Sequence, residues 1–299
     1  FISYLRSFQD PLLQIANITN ILQQTAAAAE RVFEFLHEPE VVPETENPVY
    51  LDQVKGAVEF KNVHFGYDSE NPVIKHFSVK VEPGQQIAIV GPTGAGKTTL
   101  VKLLMRYYDI DSGEIFVDGV NIKDFSRNDL RSKFAMVLQD TWLFNGTIRE
   151  NIRYGRQEAT DEEVEQAADM AYADHFTRTL PGGYEMVLNE EASNVSAGQK
   201  QLLTIARAVL ANPSILILDE ATSSVDTRTE ILIQKAMDKL MKGRTSFVIA
   251  HRLSTIRNAD RILVLKDGDI VEQGTHESLL EDNGFYAELY NSQFATQAV

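Results

Sequence analysis

The apolar positions of the chain change period along its length. From Pro11 to Leu36 they recur three or four apart, at Ile15, Ile18, Leu22, Ala26, Ala29, Val32, Phe33 and Leu36, which is one stripe of a helix. The alanine run 26–29 favours helix strongly, and the helix is expected to begin after Pro11. Then the stripe vanishes. Pro39, Pro43 and Pro48 are interleaved with Glu38, Glu40, Glu44 and Glu46, a composition that breaks helices and predicts a linker over 38–55. Beyond Gly56 strands are predicted at 58–60, 63–65 and 74–81, the last stopped by Pro83-Gly84. Ile87-Ala88-Ile89-Val90 is a continuous apolar run, the pattern of a strand buried on both faces. Asp118-Gly119 inside 115–122 is a two-residue hairpin turn signal.

Residues 134–138 form another apolar strand ending at Gln139, and from there to Asn212 the signals are mainly helical. Asp161-Glu162-Glu163 opens a helix with an acidic first turn, which suits the helix dipole. Pro181-Gly182-Gly183 interrupts the pattern. Ser196 precedes a long amphipathic run carrying Leu202, Leu203, Ile205, Ala206, Val209 and Leu210, stopped at Asn212-Pro213. Residues 215–218 read as a buried strand ending in Asp219-Glu220, followed by a helix near 229–241 and a strand at 246–250 ending at His251. A second hairpin is predicted around Lys266-Asp267-Gly268-Asp269, and the C-terminus is predicted helical. The fold class is therefore α/β, with an antiparallel β part and an inserted helical subdomain at about 140–212, preceded by a helix.

Composition narrows the chemistry. The net charge is −15, which argues against a grip on nucleic acid. There is no cysteine, so disulfides and thiolate sites are excluded. Residue 1 is Phe, and the chain is expected to be a fragment of a longer one. No stretch reaches the ~20 apolar residues of a membrane-spanning helix.

The chemistry sits first at Gly91-Pro92-Thr93-Gly94-Ala95-Gly96-Lys97-Thr98, which reads G-x-x-x-x-G-K-[ST] between a strand and a helix. Glycines let successive N–H groups turn inward around a polyphosphate, and the helix N-terminus adds donors and partial positive charge. Residues 91–99, Thr99 included, are expected to hold ATP; Lys97 reaches the β- and γ-phosphates and the Thr98 hydroxyl ligates Mg2+. A glycine-rich turn that binds nothing is the bland alternative, and Gly is not abundant here, at 17 residues of 299. The second constellation is Asp219 and Glu220 at a strand end, the edge where α/β proteins place ligands. Asp219 is expected to hold Mg2+ and Glu220 to polarise the attacking water.

Together these motifs make residues 56–299 resemble the nucleotide-binding domain of an ATP-binding cassette (ABC) transporter of the multidrug or lipid exporter type. The resemblance matches 91–98 to Walker A and 215–220 to Walker B, with Glu220 catalytic. It implies that Gln139 is the Q-loop glutamine near Mg2+ and that His251 is the switch histidine on the γ-phosphate. Tyr67 is then the aromatic that stacks on adenine, and 223–226, ending in Asp226, the D-loop. Val195-Ser196-Ala197-Gly198-Gln199 matches the signature, where Ser196, Gly198 and Gln199 grip ATP bound to a second such domain. Here Val195 replaces the usual Leu and Ala197 the first Gly of Leu-Ser-Gly-Gly-Gln, which leaves full activity of that signature open. A homodimer and a heterodimer both fit.

Residues 1–37 look like the cytoplasmic end of the last transmembrane helix of an exporter, which implies a membrane domain in the same chain and a site at the cytoplasmic face of a membrane. Residues 141–148 follow Gln139 and either face that domain or fill the helical core with Trp142 and Phe144. Asn189-Glu190-Glu191 falls where exporters carry a short acidic cross-talk loop, with Glu190 the best match. An ATP-binding regulatory subunit with little hydrolysis is the alternative reading. An ABC-type ATPase of DNA repair is disfavoured by the short span between Thr98 and Ile215 and by the acidic charge.

Overall fold

The computed structural model describes residues 1–38, 40–68, 71–138, 141–219, 225–250 and 253–293. Two compact units divide the chain, 1–43 and 44–299. The first is the helix α1, Ile2–Leu36, with Pro11 inside it and not at its start. A helical proline removes one backbone bond and crowds one carbonyl, costing about 3 kcal/mol. The turns on either side keep their own bonds, so the helix runs through. No helix among the described residues is long and apolar enough to cross a membrane.

In the second unit, residues 44–55 are irregular and tied to the domain by hydrogen bonds. Arg127 donates its backbone N–H to the Glu44 carboxylate at 2.9 Å, and Val49 donates to the Asp124 carbonyl at 2.8 Å. Three strands and a helix follow: β1 Val58–Gly66, β2 Pro72–Val81, β3 Gln86–Val90 and α2 Lys97–Leu104. Then come β4 Ser112–Val117, β5 Val120–Asn121, α3 Arg127–Ser132 and β6 Phe134–Val137. The helical stretch holds β7 Gly146–Thr147, α4 Ile148–Arg153, α5 Asp161–Met170, α6 Asp174–Thr179, β8 Val187–Leu188 and α7 Ala197–Ala211. The chain closes with β9 Ile215–Asp219, α8 Thr227–Met241, β10 Thr245–Ile249, α9 Leu253–Asn258, β11 Arg261–Lys266, β12 Asp269–Gly274, α10 His276–Glu281 and α11 Phe285–Gln293.

The strands predicted at 58–60 and 63–65 are one strand, β1. Asn62 takes φ 45° and the register shifts there, so a bulge had disguised the continuity. Both predicted Asp-Gly turns are hairpins, with Val117 opposite Val120 and Lys266 opposite Asp269. Their two central residues all have positive φ, as the turn requires.

An antiparallel sheet in the order β2-β1-β4-β5 lies beside a six-stranded sheet in the order β12-β11-β3-β10-β9-β6. In the larger sheet only β12 runs antiparallel. Its strands alternate between two cores. Ile87, Ile89, Ile215, Ile217, Phe247 and Ile249 join the antiparallel sheet and the apolar face of α2, while Ala88, Val90, Leu216, Leu218 and Val248 join the helical stretch. Successive side chains leave opposite faces of a strand, so a run with no polar alternation marks a sheet covered on both sides. The helical stretch therefore shares one core with the sheet, and α7 at its centre packs on α4, α5 and α8.

Candidate ATP site

The phosphate loop leaves the C-terminal end of β3 and enters α2. Gly91 takes φ +153° and Gly96 φ +95°. A Cβ at Gly91 would lie 2.3 Å from the Leu265 carbonyl oxygen, and one at Gly96 would lie 2.7 Å from Ile74 Cδ1. Only glycine meets both the backbone and the steric demand. Lys97 folds back over the loop, its Nζ donating to the Gly91 carbonyl at 2.8 Å and the Pro92 carbonyl at 3.0 Å. Burial pulls the Lys97 ammonium below its ordinary pKa, with the charge of Asp219 pulling the other way.

Strand order brings Asp219 to the loop. β10 lies between β3 and β9, and Ile249 is level with both Ile89 and Asp219. Two strand spacings put the two strand ends about 10 Å apart. Thr98 and Asp219 line one cavity of about 600 Å3, whose remaining wall is largely apolar and includes Tyr107, Tyr108, Met136 and Leu138. A hydroxyl and a carboxylate are hard oxygen donors of the kind Mg2+ takes. Among the described residues no cluster of three or more acidic or imidazole side chains is poised for a metal.

Tyr67 is half exposed, and its hydroxyl lies 3.2 Å from Thr99 Oγ1. Phe65 and Tyr108 meet its ring edge-to-face at 5.1 and 5.2 Å, which fixes the plane it offers. Ser196 caps α7. Its Oγ accepts from Gln199 N at 3.2 Å and Gln199 Oε1 accepts from Ser196 N at 2.9 Å, a reciprocal capping box. The Ser196 hydroxyl proton takes no part in the cap. Ala197 is the first residue of the helix and has no positive φ, so its methyl imposes no strain. Val195 is buried in the core. Gly198 is tied down by packing instead: a Cβ there would lie 2.4 Å from Thr229 Cγ2 and 2.9 Å from Val225 Cγ1. Asp226 caps α8 by accepting from Thr229 N at 3.0 Å, and that bond lowers its carboxyl pKa.

The family model for ABC transporters matches residues 74–223. The chain belongs to the ABC transporter family. It is 57% identical over 289 residues to a fatty acid ABC transporter ATP-binding/permease protein of Mycobacterium bovis, covering 97% of this chain and 46% of the relative. Against an ATP-dependent lipid A-core flippase of Desulfotalea psychrophila it is 46% identical over 293 residues, 98% of this chain and 51% of the other. A solved bacterial Atm1-family ABC exporter with ATP bound superposes with a TM-score of 0.81 at 41% identity, over 93% of this chain and 48% of that one. The chain thus spans about half the length of the relatives it matches. Its second unit has the fold of an ABC-exporter nucleotide-binding domain.

Glu220, His251 and Gln139, expected to be catalytic, lie outside the described residues, as do Ser223 and Ser224. Lys97, Thr98 and Asp219 come together, and Tyr67 joins Thr99 at the start of α2. Ser196 is the N-cap of α7 and does not line the cavity that Thr98 and Asp219 share. Trp142 is exposed and Leu143 buried, so the core takes the residue between the two aromatics. Sequence reading missed Tyr108, which meets the Tyr67 ring edge-to-face; no pattern in the sequence marked it.

Proposed function

We propose that this chain is the ATP-hydrolysing motor of an ABC exporter. The carrying observation is that Thr98 and Asp219 face one cavity within electrostatic reach of Lys97. On this reading the phosphate-loop amides and Lys97 hold the β- and γ-phosphates, and Tyr67 stacks on the adenine. Thr98, Asp219 and Gln139 hold Mg2+, which when bound neutralises phosphate charge. Glu220 accepts the proton of the attacking water and aims it at the γ-phosphorus, while His251 holds the γ-phosphate. General-base assistance of this kind contributes about 10²–10⁴-fold in rate.

The N-terminus of α7, with Ser196, supplies a second phosphate site for ATP held by another nucleotide-binding domain. Two domains then close head to tail on two ATP molecules, and hydrolysis releases them. A membrane domain belonging to the full-length protein would turn that closure into export, with this domain on the cytoplasmic side of the membrane. The names of the relatives put acylated amphiphiles first among substrates to assay.

The test uses the Glu220→Gln variant of the chain, with light scattering after gel filtration and a phosphate-release assay. Mg-ATP is expected to double the mass while turnover nearly vanishes. Undiminished turnover removes Glu220 from the mechanism. A variant that binds ATP and stays monomeric favours a different partner domain, and with it the reading of one subunit in a heterodimer.

A further inference from the structure

Among the described residues, Arg207 is a guanidinium without a carboxylate. It sits on the C-terminal half of α7, about 15 Å from Ala197 at the helical rise. Among the described residues it has no ion-pair partner, and burial pulls its pKa down. A desolvated charge is costly, so what it holds matters. Its fork goes to backbone and amide oxygens: Nε donates to the Asn151 carbonyl at 2.9 Å, Nη2 to Asn151 Oδ1 at 3.2 Å and Nη1 to the Trp142 carbonyl at 3.1 Å. Its guanidinium also lies over the Tyr154 ring, 5.1 Å from the centroid.

Asn151 is fully buried and passes the grip on. Its Oδ1 accepts from Phe144 N, and its Nδ2 donates to the Phe144 and Thr147 carbonyls, all at 3.0 Å. At Gly155 the backbone approaches α7 so closely that a Cβ would lie 2.2 Å from the Arg207 carbonyl oxygen. The fork and this contact fix both chain segments that carry the rings of Trp142, Phe144 and Tyr154. Those rings pack in a triangle with centroids 5.9 to 6.3 Å apart, and Trp142 is 61% exposed.

We propose that Arg207, acting through Asn151, is a positioning residue that locks this three-ring platform to α7, so that displacement of the Ser196 end of the helix is carried to the platform. The inference rests on the reading above that the Ser196 end engages ATP. Arginine alone suits the task. Its planar fork reaches three acceptors at once, and a lysine ammonium at the same site keeps the charge but not that geometry.

Trp142 is the only tryptophan in the chain, so its fluorescence reads the platform directly. The experiment measures acrylamide quenching of Trp142 in the 299-residue chain carrying Glu220→Gln, with Arg207 intact or replaced by Lys or Gln. Without nucleotide, Arg207→Lys is expected to raise the quenching constant about twofold by freeing the ring. With Mg-ATP, the Arg207 chain should change its quenching. Arg207→Lys should lose most of that response while binding a fluorescent ATP analogue within about twofold of the parent, since Arg207 lines neither the phosphate loop nor the cavity at Thr98. If Arg207→Gln no longer melts cooperatively, Arg207→Lys carries the reading. Unaltered quenching in Arg207→Lys, with and without nucleotide, overturns the proposal. A parent chain that binds no ATP overturns the ATP reading alone, and the nucleotide-free comparison then decides for or against Arg207.

Discussion

Lys97 and Gly91 are hydrogen-bonded to each other: the ammonium that closes the phosphate loop donates to the carbonyl that opens it, at 2.8 Å. The loop is thus held in shape by the group that, on the proposed reading, releases it to meet a phosphate. Replacing Lys97 with Ala is expected to weaken Mg-ATP binding about 10- to 150-fold, the worth of roughly 1.5–3 kcal/mol for hydrogen bonds to a charged group. Titration calorimetry reads this directly, and an unchanged affinity refutes the role.

The same lysine predicts an alkaline pH dependence. Its folded pKa lies below the ordinary 10.5, so the unfolded chain binds the proton more tightly. Stability of the nucleotide-free protein should therefore rise as pH climbs through the folded value toward 10.5. ATP affinity should fall over the same window as the ammonium is lost. Melting curves and binding isotherms from pH 7 upward test both signs, and Lys97→Met should flatten both.

Tyr67 offers a ring and a hydroxyl, and the two can be separated. Base–aromatic stacking is worth about 1–3 kcal/mol, so Tyr67→Ala should raise the Kd for ATP about 5- to 150-fold. Tyr67→Phe keeps the ring between Phe65 and Tyr108 and loses only the bond to Thr99. Its Kd should stay within about threefold of the parent, less than the loss of a typical hydrogen bond. Equal losses in both variants would mean that Tyr67 serves the packing of α2 and not the base.

The altered signature makes opposite forecasts for neighbouring residues. Ala197 is helical without strain, so Ala197→Gly should bring no gain in ATP-dependent pairing measured by light scattering. Gly198→Ala should push Val225 and Thr229 outward, costing about 1–3 kcal/mol by overpacking. A drop in melting temperature for the second and none for the first is the expected result.

Acid should loosen the helical stretch first. Glu150 and Glu163 complete capping boxes with Thr147 and Thr160, and those bonds hold both carboxyls below the ordinary range. Depressed folded values mean stability that is present above the unfolded pKa of about 4.3 and lost as pH falls through the folded values. Glu163→Gln can still accept the Thr160 N–H without titrating. Thermal melts from pH 7 to 3 should therefore show a smaller acid loss in that variant than in the parent.

The phosphate-loop frame of the candidate site was legible in the one-dimensional pattern because its parts are local. A phosphate loop needs a strand, glycines at positions of positive φ and a helix N-terminus within a dozen residues, and Gly91 to Thr98 supplies all of these in sequence. The capping box of Ser196 and Gln199 and the Asp-Gly hairpins are local in the same sense. The bulge at Asn62 was not legible, since one residue in left-handed backbone leaves no mark in hydropathy.

Sequence by itself determined the fold class and the strand, glycine loop and helix start that frame the candidate phosphate site, because period and turn chemistry act between neighbours. The tertiary structure alone decided which distant groups meet. Only the strand order put Asp219 two strands from Gly91, with β10 between them, because parallel strands pair across crossovers that hydropathy does not encode. Packing alone made Gly198 and Gly155 obligatory by close approach of another element, and it alone gave Arg207 to Asn151 and Trp142. A part-buried guanidinium held by backbone and amide oxygens has, among the described residues, no partner charge to betray it in the sequence; its meaning exists only where three chain segments cross.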